Sequence, residues 1–269
     1  MKMQRMKFSK GIAVLYILLA AGMYARAQTY SESQKIVRSF AAGPETRMDL
    51  SNKYGTVHII PWDKDSVHIS IELLIKSTSA SRLERQKKNI DFEFTHTNYY
   101  IIANTIFGSR GGTFFSDLRD LSGSIIPGKN EVRIDYTVHV PSRLNINITN
   151  KYGDIYIDDM KGSVSINLSN GDIKANSLLG ETNISLNFGN GIVNELGNAR
   201  LTVSYADIEI RSAGQLKIES KSSKIRIHEV EMLNTLSKRD KYTVSRIDNF
   251  SGESWFSDVW FTKLNEEIN

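Results

Sequence analysis

The chain has 269 residues, with 34 Lys and Arg against 30 Asp and Glu, a formal net charge of +4 and no cysteine. The lack of cysteine excludes disulfides and thiol chemistry. Five of the basic residues and none of the acidic ones lie in residues 1–27, so the rest of the chain has a formal charge of −1 (+4 − 5). A near-neutral chain gives no electrostatic case for nucleic acid as a partner.

Residues 1–27 have the pattern of a secretory signal peptide. A short apolar run, 11–21, follows four basic residues, and Ala25 and Ala27 place small side chains where a signal peptidase reads. The basic residues are Lys2, Arg5, Lys7 and Lys10. The apolar run is shorter than the ~20 residues that a membrane span needs; an uncleaved anchor is the alternative. We expect export to the periplasm, the outer membrane or the cell surface, with the mature chain starting at Gln28 and keeping no stable membrane span.

Residues 28–141 are predicted to form an N-terminal β region with one short helix. The helix is expected over 81–89, opening with Ser81 as its N-cap. Residues 108–130 contain glycines and two Phe without any period, which predicts a long loop. Such a loop is either a plain insertion or a place for binding residues. The segment Asn-Lys-Tyr-Gly at 52–55 recurs at 150–153, an offset of 98 residues.

Residues 142–269 contain an internal repeat of 17 to 18 residues. Its apolar columns include Ile146, Val164, Thr182, Ala199, Leu216 and Ile148, Ile166, Ile184, Leu201, Ile218. Polar columns alternate with them: Asn147, Ser165, Asn183, Arg200, Lys217 and Thr149, Asn167, Ser185, Thr202, Glu219. This alternation is the two-residue period of strands with one buried face. The sequence therefore predicts an all-β fold, a parallel β-helix-like solenoid with two short strands per coil, continuous with the N-terminal region and closed by a C-terminal cap.

Each coil is predicted to bend at a Gly-Asp-like corner. Residues 152–154, 170–172 and 188–190 place Gly or Asn where the backbone needs a positive φ. Later corners drift from this pattern, so we expect the corner to change shape along the stack. Beyond Ile225 the corner is expected at 242–244 and 256–259, with spacings of 19 and 15 residues.

These motifs together resemble a known group of proteins. They are the pattern N-x-Y-G-x-V-x-I at 52–59 followed by Trp62-Asp63, a strand ending at Pro141, and serial Gly-Asp-Ile corners. The chain resembles the bacterial putative-adhesin family of unknown function, which is built from β-strand repeats, over residues 35 to 262. The resemblance implies a β-helix-like fold at the cell envelope and brings no catalytic residues.

No catalytic motif is present in the sequence. The histidines lack metal-ligand spacing, and there is no nucleophile elbow and no phosphate-binding loop. They are His58, His68, His96, His139 and His228. Hexapeptide acyltransferases fail as a template because Asn170 and Asn176 stand where an aliphatic residue would recur. We predict no enzyme, no cofactor, no catalytic residue and no metal site, and leave the binding residues open.

One column raises the question of a cation. Asp154, Asp172, Asn190 and Asp207 recur at the corner, and stacked carboxylates one strand spacing apart repel each other unless they are paired or bridged. Calcium binds oxygen-rich sites of this kind, but it needs six or more oxygens. The alternative is that Asp and Asn suit the corner backbone.

The leading functional expectation is a non-enzymatic envelope protein that binds a glycan or a protein through its polar β-faces. The second is a periplasmic regulatory or scaffold module that pairs with an envelope protein through an exposed strand edge. The third is a polysaccharide-active enzyme, because a fold does not fix function.

Overall fold

The computed structural model describes residues 29–108 and 130–268. The predicted leader 1–27 and almost all of the predicted loop 108–130 lie outside the described residues. Within these two ranges, no helix combines the length and the apolarity needed to cross a membrane.

The described chain is almost entirely β, with one helix. The strands before the repeat are β1 (Tyr30–Ala41), β2 (Arg47–Ser51), β3 (Val57–Trp62), β4 (Ser66–Ser77), β5 (Ile90–His96), β6 (Tyr100–Phe107) and β7 (Glu131–Pro141). The helix is α1 (Ala80–Lys88). The repeat contains β8 (Asn145–Asn150), β9 (Ile155–Ile157), β10 (Val164–Ser169), β11 (Ile173–Leu178), β12 (Thr182–Asn187), β13 (Asn190–Leu196), β14 (Ala199–Ser204), β15 (Asp207–Lys221), β16 (Lys224–Lys238), β17 (Lys241–Trp255) and β18 (Asp258–Ile268).

Two parallel sheets build the solenoid. The front sheet contains β6, β2, β8, β10, β12 and β14, and the back sheet contains β7, β3, β9, β11 and β13. From β15 onwards, the first half of each strand lies in the back sheet and the second half in the front sheet. Ile166 pairs with Ile184, and Ile184 pairs with Leu201, on adjacent turns. The predicted β-solenoid is confirmed.

The N-terminal region adds a turn that the repeat alone does not reveal. Strands β2 and β3, which flank the segment that recurs 98 residues later, stack directly on β8 and β9. On their other side β2 pairs with β6, and β3 pairs with β7. Antiparallel strands extend this end, with β5 beside β6, β4 beside β7 and β1 beside β4. The division between 28–141 and 142–269 stays a prediction.

A continuous apolar core fills the space between the sheets. The column Ile148, Ile166, Ile184, Leu201 and Ile218 is buried throughout, while the polar columns beside it face outwards. Burying apolar surface contributes about 25 cal/mol per Å², which is the main favourable term in a fold without disulfides. Because no single turn covers its own apolar side, the turns must stack to be stable.

The corner between the two sheets keeps its period to the end of the chain, contrary to the spacings of 19 and 15 expected from the sequence. Positive φ recurs at Asn170, Phe188, Tyr205, Ser222, Arg239 and Phe256, which after the first step are 17 residues apart. The corner after Ile225 is therefore Arg239, and the expected corner at Tyr242 is wrong because Tyr242 is a buried strand residue paired with Ile225.

The corner does change shape along the stack, as expected. In the first turns the positive φ belongs to Gly55 (φ 104°) and Gly153 (φ 149°), and from Asn170 onwards it belongs to the residue one position earlier. The expectation that Gly or Asn supplies this conformation holds only up to Asn170, because Phe, Tyr, Ser and Arg take it in later turns.

The helix starts at Ala80, one residue before Ser81, so Ser81 is not its N-cap. The extended residue Ser79 (φ −136°, ψ 126°) occupies that position and makes no side-chain cap hydrogen bond. Its hydroxyl instead lies 3.0 Å from the hydroxyl of Ser81, which is inside the first turn. Helix α1 packs on β4 through its buried residue Leu83.

Candidate functional site

The histidines are spread over several strands, and two of them lie next to each other. His68 and His139 are cross-strand partners on the outer face of the back sheet, with ring centres 6.1 Å apart. The Nδ1 of His68 lies 2.8 Å from the hydroxyl of Ser39. Burial first, and then the neighbouring His68, His58 and Lys64, lower the pKa of His139, so this ring favours its neutral form. Nowhere in residues 29–108 and 130–268 do three or more His, Asp or Glu residues converge as metal ligands.

The column of Asp154, Asp172, Asn190 and Asp207 forms hydrogen bonds and an ion pair between adjacent turns. A carboxylate oxygen of Asp154 accepts a hydrogen bond from the backbone N–H of Asp172 (2.9 Å). Asp172 in turn accepts one from the N–H of Asn190 (2.8 Å), and Asp207 pairs with Lys224 at 3.5 Å. The side chains of Asp154, Asp172 and Asp207 thus each contact the next turn, which favours the structural interpretation of this column over the cation.

The strongest candidate site is a groove beside the last corners of the front sheet. It has a volume of about 480 Å³, and its lining includes Thr202, Ser204, Glu219, Lys221, Leu236, Lys238, Trp255 and Phe256. Four of these residues form a single column, since Ser204, Lys221, Lys238 and Trp255 pair in register on successive turns. We call this feature the corner groove.

Aromatic residues flank the corner groove on both sides. Phe188 and Tyr205 stack with ring centres 5.2 Å apart and planes at 4°, although both rings are about half exposed. On the other side Trp255 is half exposed and Phe256 is 89% exposed. Exposed aromatic rings that are held in place are typical of binding surfaces, because they offer large contact area at little cost in conformational entropy.

The floor of the corner groove is fixed by a buried polar network. The carboxylate of Asp240, which is 2% exposed, accepts hydrogen bonds from the hydroxyls of Ser220 and Ser237 (both 2.8 Å). It also accepts hydrogen bonds from the backbone N–H groups of Ser223 and Lys238 (both 2.7 Å). Four donors in fixed positions hold this corner rigidly, so the side chains of the groove start from a preorganised backbone.

The same corner carries a second aromatic stack in the first turns. Tyr54 and Tyr152 lie face to face, with ring centres 5.5 Å apart and planes at 13°. The Nζ of Lys53 lies 5.4 Å from the centre of the Tyr54 ring, within cation–π range. Burial and the neighbouring Tyr152 raise the pKa of Tyr54 to about 12, which keeps its hydroxyl protonated. Aromatic residues therefore recur along one edge of the solenoid.

Sequence reasoning missed the corner groove. The sequence predicts only a C-terminal cap at this end of the chain, and it places binding on the polar β-faces. The signal that could have revealed the groove is the 17-residue spacing itself, which brings Tyr205 and Phe256 to the same corner position. The expected polar faces exist beside it, since Thr202 is exposed on the front sheet.

Comparison with known proteins gives structural likenesses only. No family model matches the chain, and no curated protein matches it. Similar solved structures include a putative adhesin from Bacteroides fragilis (TM-score 0.42, 12% identity, covering 87% of this chain and 96% of that one). Others are a putative cell adhesion protein from Clostridium sporogenes (0.36, 10%, 88% and 100%) and a putative lipid binding protein from Parabacteroides distasonis (0.35, 10%, 87% and 96%).

Proposed function

We propose that this chain is a non-enzymatic, adhesin-like binding protein of the cell envelope, and that its ligand is a glycan held in the corner groove and along the adjoining polar face of the front sheet. The observation that carries the proposal is the exposed aromatic rings, which border the hydroxyl groups of Thr202 and Ser204. Sugar rings present apolar C–H faces to aromatic side chains and hydroxyl groups to polar ones. Such weak contacts repeat on successive turns of the solenoid, and this repetition suits an extended polymer.

The chemistry of the corner groove supports a binding role. Glu219 is the single carboxylate among its lining residues, and no histidine lines it. Glycan hydrolysis by the usual route needs a pair of carboxyl groups on either side of the scissile bond. A groove with one carboxylate and two lysines offers recognition without such a pair.

A second candidate function follows from the last strand. Among the described strands β18 pairs only with β17, and it carries Trp260, whose side chain is 69% exposed. An open strand edge is a template for strand addition by a partner protein. A periplasmic scaffold module that binds an envelope protein in this way is the alternative to glycan binding.

A glycan array with variants of the two exposed tryptophans separates the candidates. We expect the purified protein to bind a subset of glycans and Trp255→Ala/Phe256→Ala to weaken that binding at least about tenfold, since aromatic anchors carry 1–3 kcal/mol each. Trp260→Ala, an exposed aromatic residue on the back sheet, is the matched control and should keep the binding. An array without signal, or equal losses in both variants, would contradict the proposal.

A further inference from the structure

We infer that the corner groove binds an acidic glycan, one whose sugars carry carboxylate or sulfate groups. This inference rests on the proposed function and deepens it. The observation behind it is a cluster of exposed basic residues, here called the basic corner, on two successive turns between the aromatic flanks. Its members are Lys221, Lys238, Arg239 and Lys241.

The register of the strands brings these charges close together. Lys221 and Lys238 are direct partners on adjacent strands, which are ~4.8 Å apart. Arg239 follows at the corner itself with a φ of 61°, and Lys241 starts the next strand beside Lys224. Like charges on neighbouring strands repel each other, so this arrangement is unfavourable until an anion occupies it.

The basic corner is not neutralised by the protein. Lys224 pairs with Asp207 at 3.5 Å, but no carboxylate of the described chain lies within 4.0 Å of the charged groups of Lys221, Lys238, Arg239 or Lys241. The nearby Glu219 pairs with Lys217 instead, at 3.8 Å. Asp240 belongs to this corner, yet its oxygens are occupied by four internal donors. Lys221 Nζ lies 5.6 Å from the Tyr205 ring, so one cation already touches an aromatic flank.

The surroundings of the basic corner favour a glycan over other polyanions. Thr202 and Ser204 line the groove with uncharged hydroxyls, which match a ligand rich in hydroxyl groups. Tyr205 and Phe256 bound the cluster three strands apart along the edge, ~14 Å, which accommodates several units of an extended polymer. The predicted mature chain is near neutral overall, so the patch is local, unlike the broad positive field of nucleic-acid-binding proteins.

Binding of soluble polymers tests the inference. The probes are alginate, which carries one carboxylate per sugar, neutral dextran, and a single-stranded oligothymidylate. We expect the purified protein to bind alginate at least about tenfold more tightly than dextran, with an affinity that falls as salt is raised, because the contacts are charge-assisted. Lys221→Gln/Lys238→Gln/Arg239→Gln should lower alginate affinity at least about tenfold without lowering the melting temperature, because it removes repulsion between like charges.

The control variant removes three positive charges elsewhere. Lys161→Gln/Lys174→Gln/Arg211→Gln changes the net charge by the same amount on exposed positions outside the basic corner, and it should change alginate affinity less than about twofold. Equal losses in the two triple variants would overturn the inference, as would oligothymidylate binding more tightly than alginate. Dextran binding that equals alginate binding, and that Trp255→Ala/Phe256→Ala abolishes, would overturn the charge requirement and preserve the glycan function. Absence of binding to every glycan would overturn both.

Discussion

At the scale of single residues, several polar side chains that are buried between the turns have defined hydrogen-bond partners. Asn52 donates to the carbonyl oxygen of Ile134 at 2.9 Å and accepts from the hydroxyl of Thr105 at 3.2 Å. That hydroxyl lies 2.7 Å from the hydroxyl of the buried Tyr136. Asn150 occupies the equivalent position on the next turn, and its side-chain amide donates hydrogen bonds to the carbonyl oxygens of Gly55 and Gly153. These hydrogen bonds specify the register in which adjacent turns pair, whereas apolar contacts alone would tolerate a shift in that register.

The buried tyrosine predicts a loss of stability at high pH. Burial raises the pKa of Tyr136 to about 12, although its hydrogen bond to Thr105 lowers it part of the way. In the unfolded chain a tyrosine ionises near pH 10, so between pH 10 and 12 only the unfolded state loses this proton. The contribution is about 3 kcal/mol of the free energy of unfolding, and we expect it to be complete below pH 10 and to be lost as the pH rises through 12. Urea denaturation across pH 8–12 measures it.

Two variants isolate this effect. Tyr136→Phe should start from a lower stability at pH 8 because it loses the hydrogen bond to Thr105, and it should then fall less steeply between pH 10 and 12. Tyr99→Phe, at an exposed ring, should follow the wild-type curve. A Tyr136→Phe curve parallel to wild type would contradict the assignment.

At the scale of elements, close packing between successive corners restricts which residues can occupy them. The backbones of successive corners touch, and glycine fills this position at 55, 153, 171 and 189. The sequence predicted these corners because Gly-Asp pairs recur in them. It does not predict that Phe188 and Tyr205 take the positive φ in the corners that follow, a conformation that single-residue preferences disfavour. Stacking of these two rings on adjacent turns is a non-local contact, and it offsets the local strain.

Gly153 offers a direct test of this packing. It has a φ of 149°, and a Cβ added to it would lie 2.0 Å from the carbonyl oxygen of Gly55. We expect Gly153→Ala to lower the free energy of unfolding by about 2 kcal/mol or more, because backbone must move to admit the methyl group. Gly43→Ala is the control, since its nearest neighbour would be the hydroxyl of Thr46 at 3.7 Å. Equal thermal midpoints for the two variants would refute this account.

At the scale of the whole molecule, the regular part of the stack was predictable and its beginning was not. Alternation and the 17–18-residue period fixed the pairing from Ile146 onwards, because each column repeats a local pattern. The turn made by β6 and β7 joins strands separated by residues 108–130, and no repeat marks it.

The corner groove is not predicted from the sequence for a related reason. The net charge of −1 for residues 28–269 gives no sign of a local basic patch, because that patch forms only when stacking places Lys221 beside Lys238.

The stack also predicts a gradient of local stability. Each turn contacts only its neighbours, so a strand paired on both sides opens less readily than one paired on a single side. Strand β12 lies between β10 and β14, whereas β18 has one partner among the described strands. We expect amide hydrogen exchange, followed by mass spectrometry, to be slowest in β10–β14 and fastest in β18. Uniform protection along the solenoid would show that it opens as one unit.

The constant corner spacing makes each later turn an interchangeable unit of length. From Phe188 onwards, each corner lies 17 residues after the one before it. Equivalent residues therefore pair with each other on adjacent turns. Deleting or duplicating one such block between matching corner positions would leave the remaining pairings in step. It would also move Tyr205 and Phe256 apart or together by one strand spacing, ~4.8 Å. Insertion or loss of whole blocks would thus lengthen or shorten the corner groove in steps of one strand spacing.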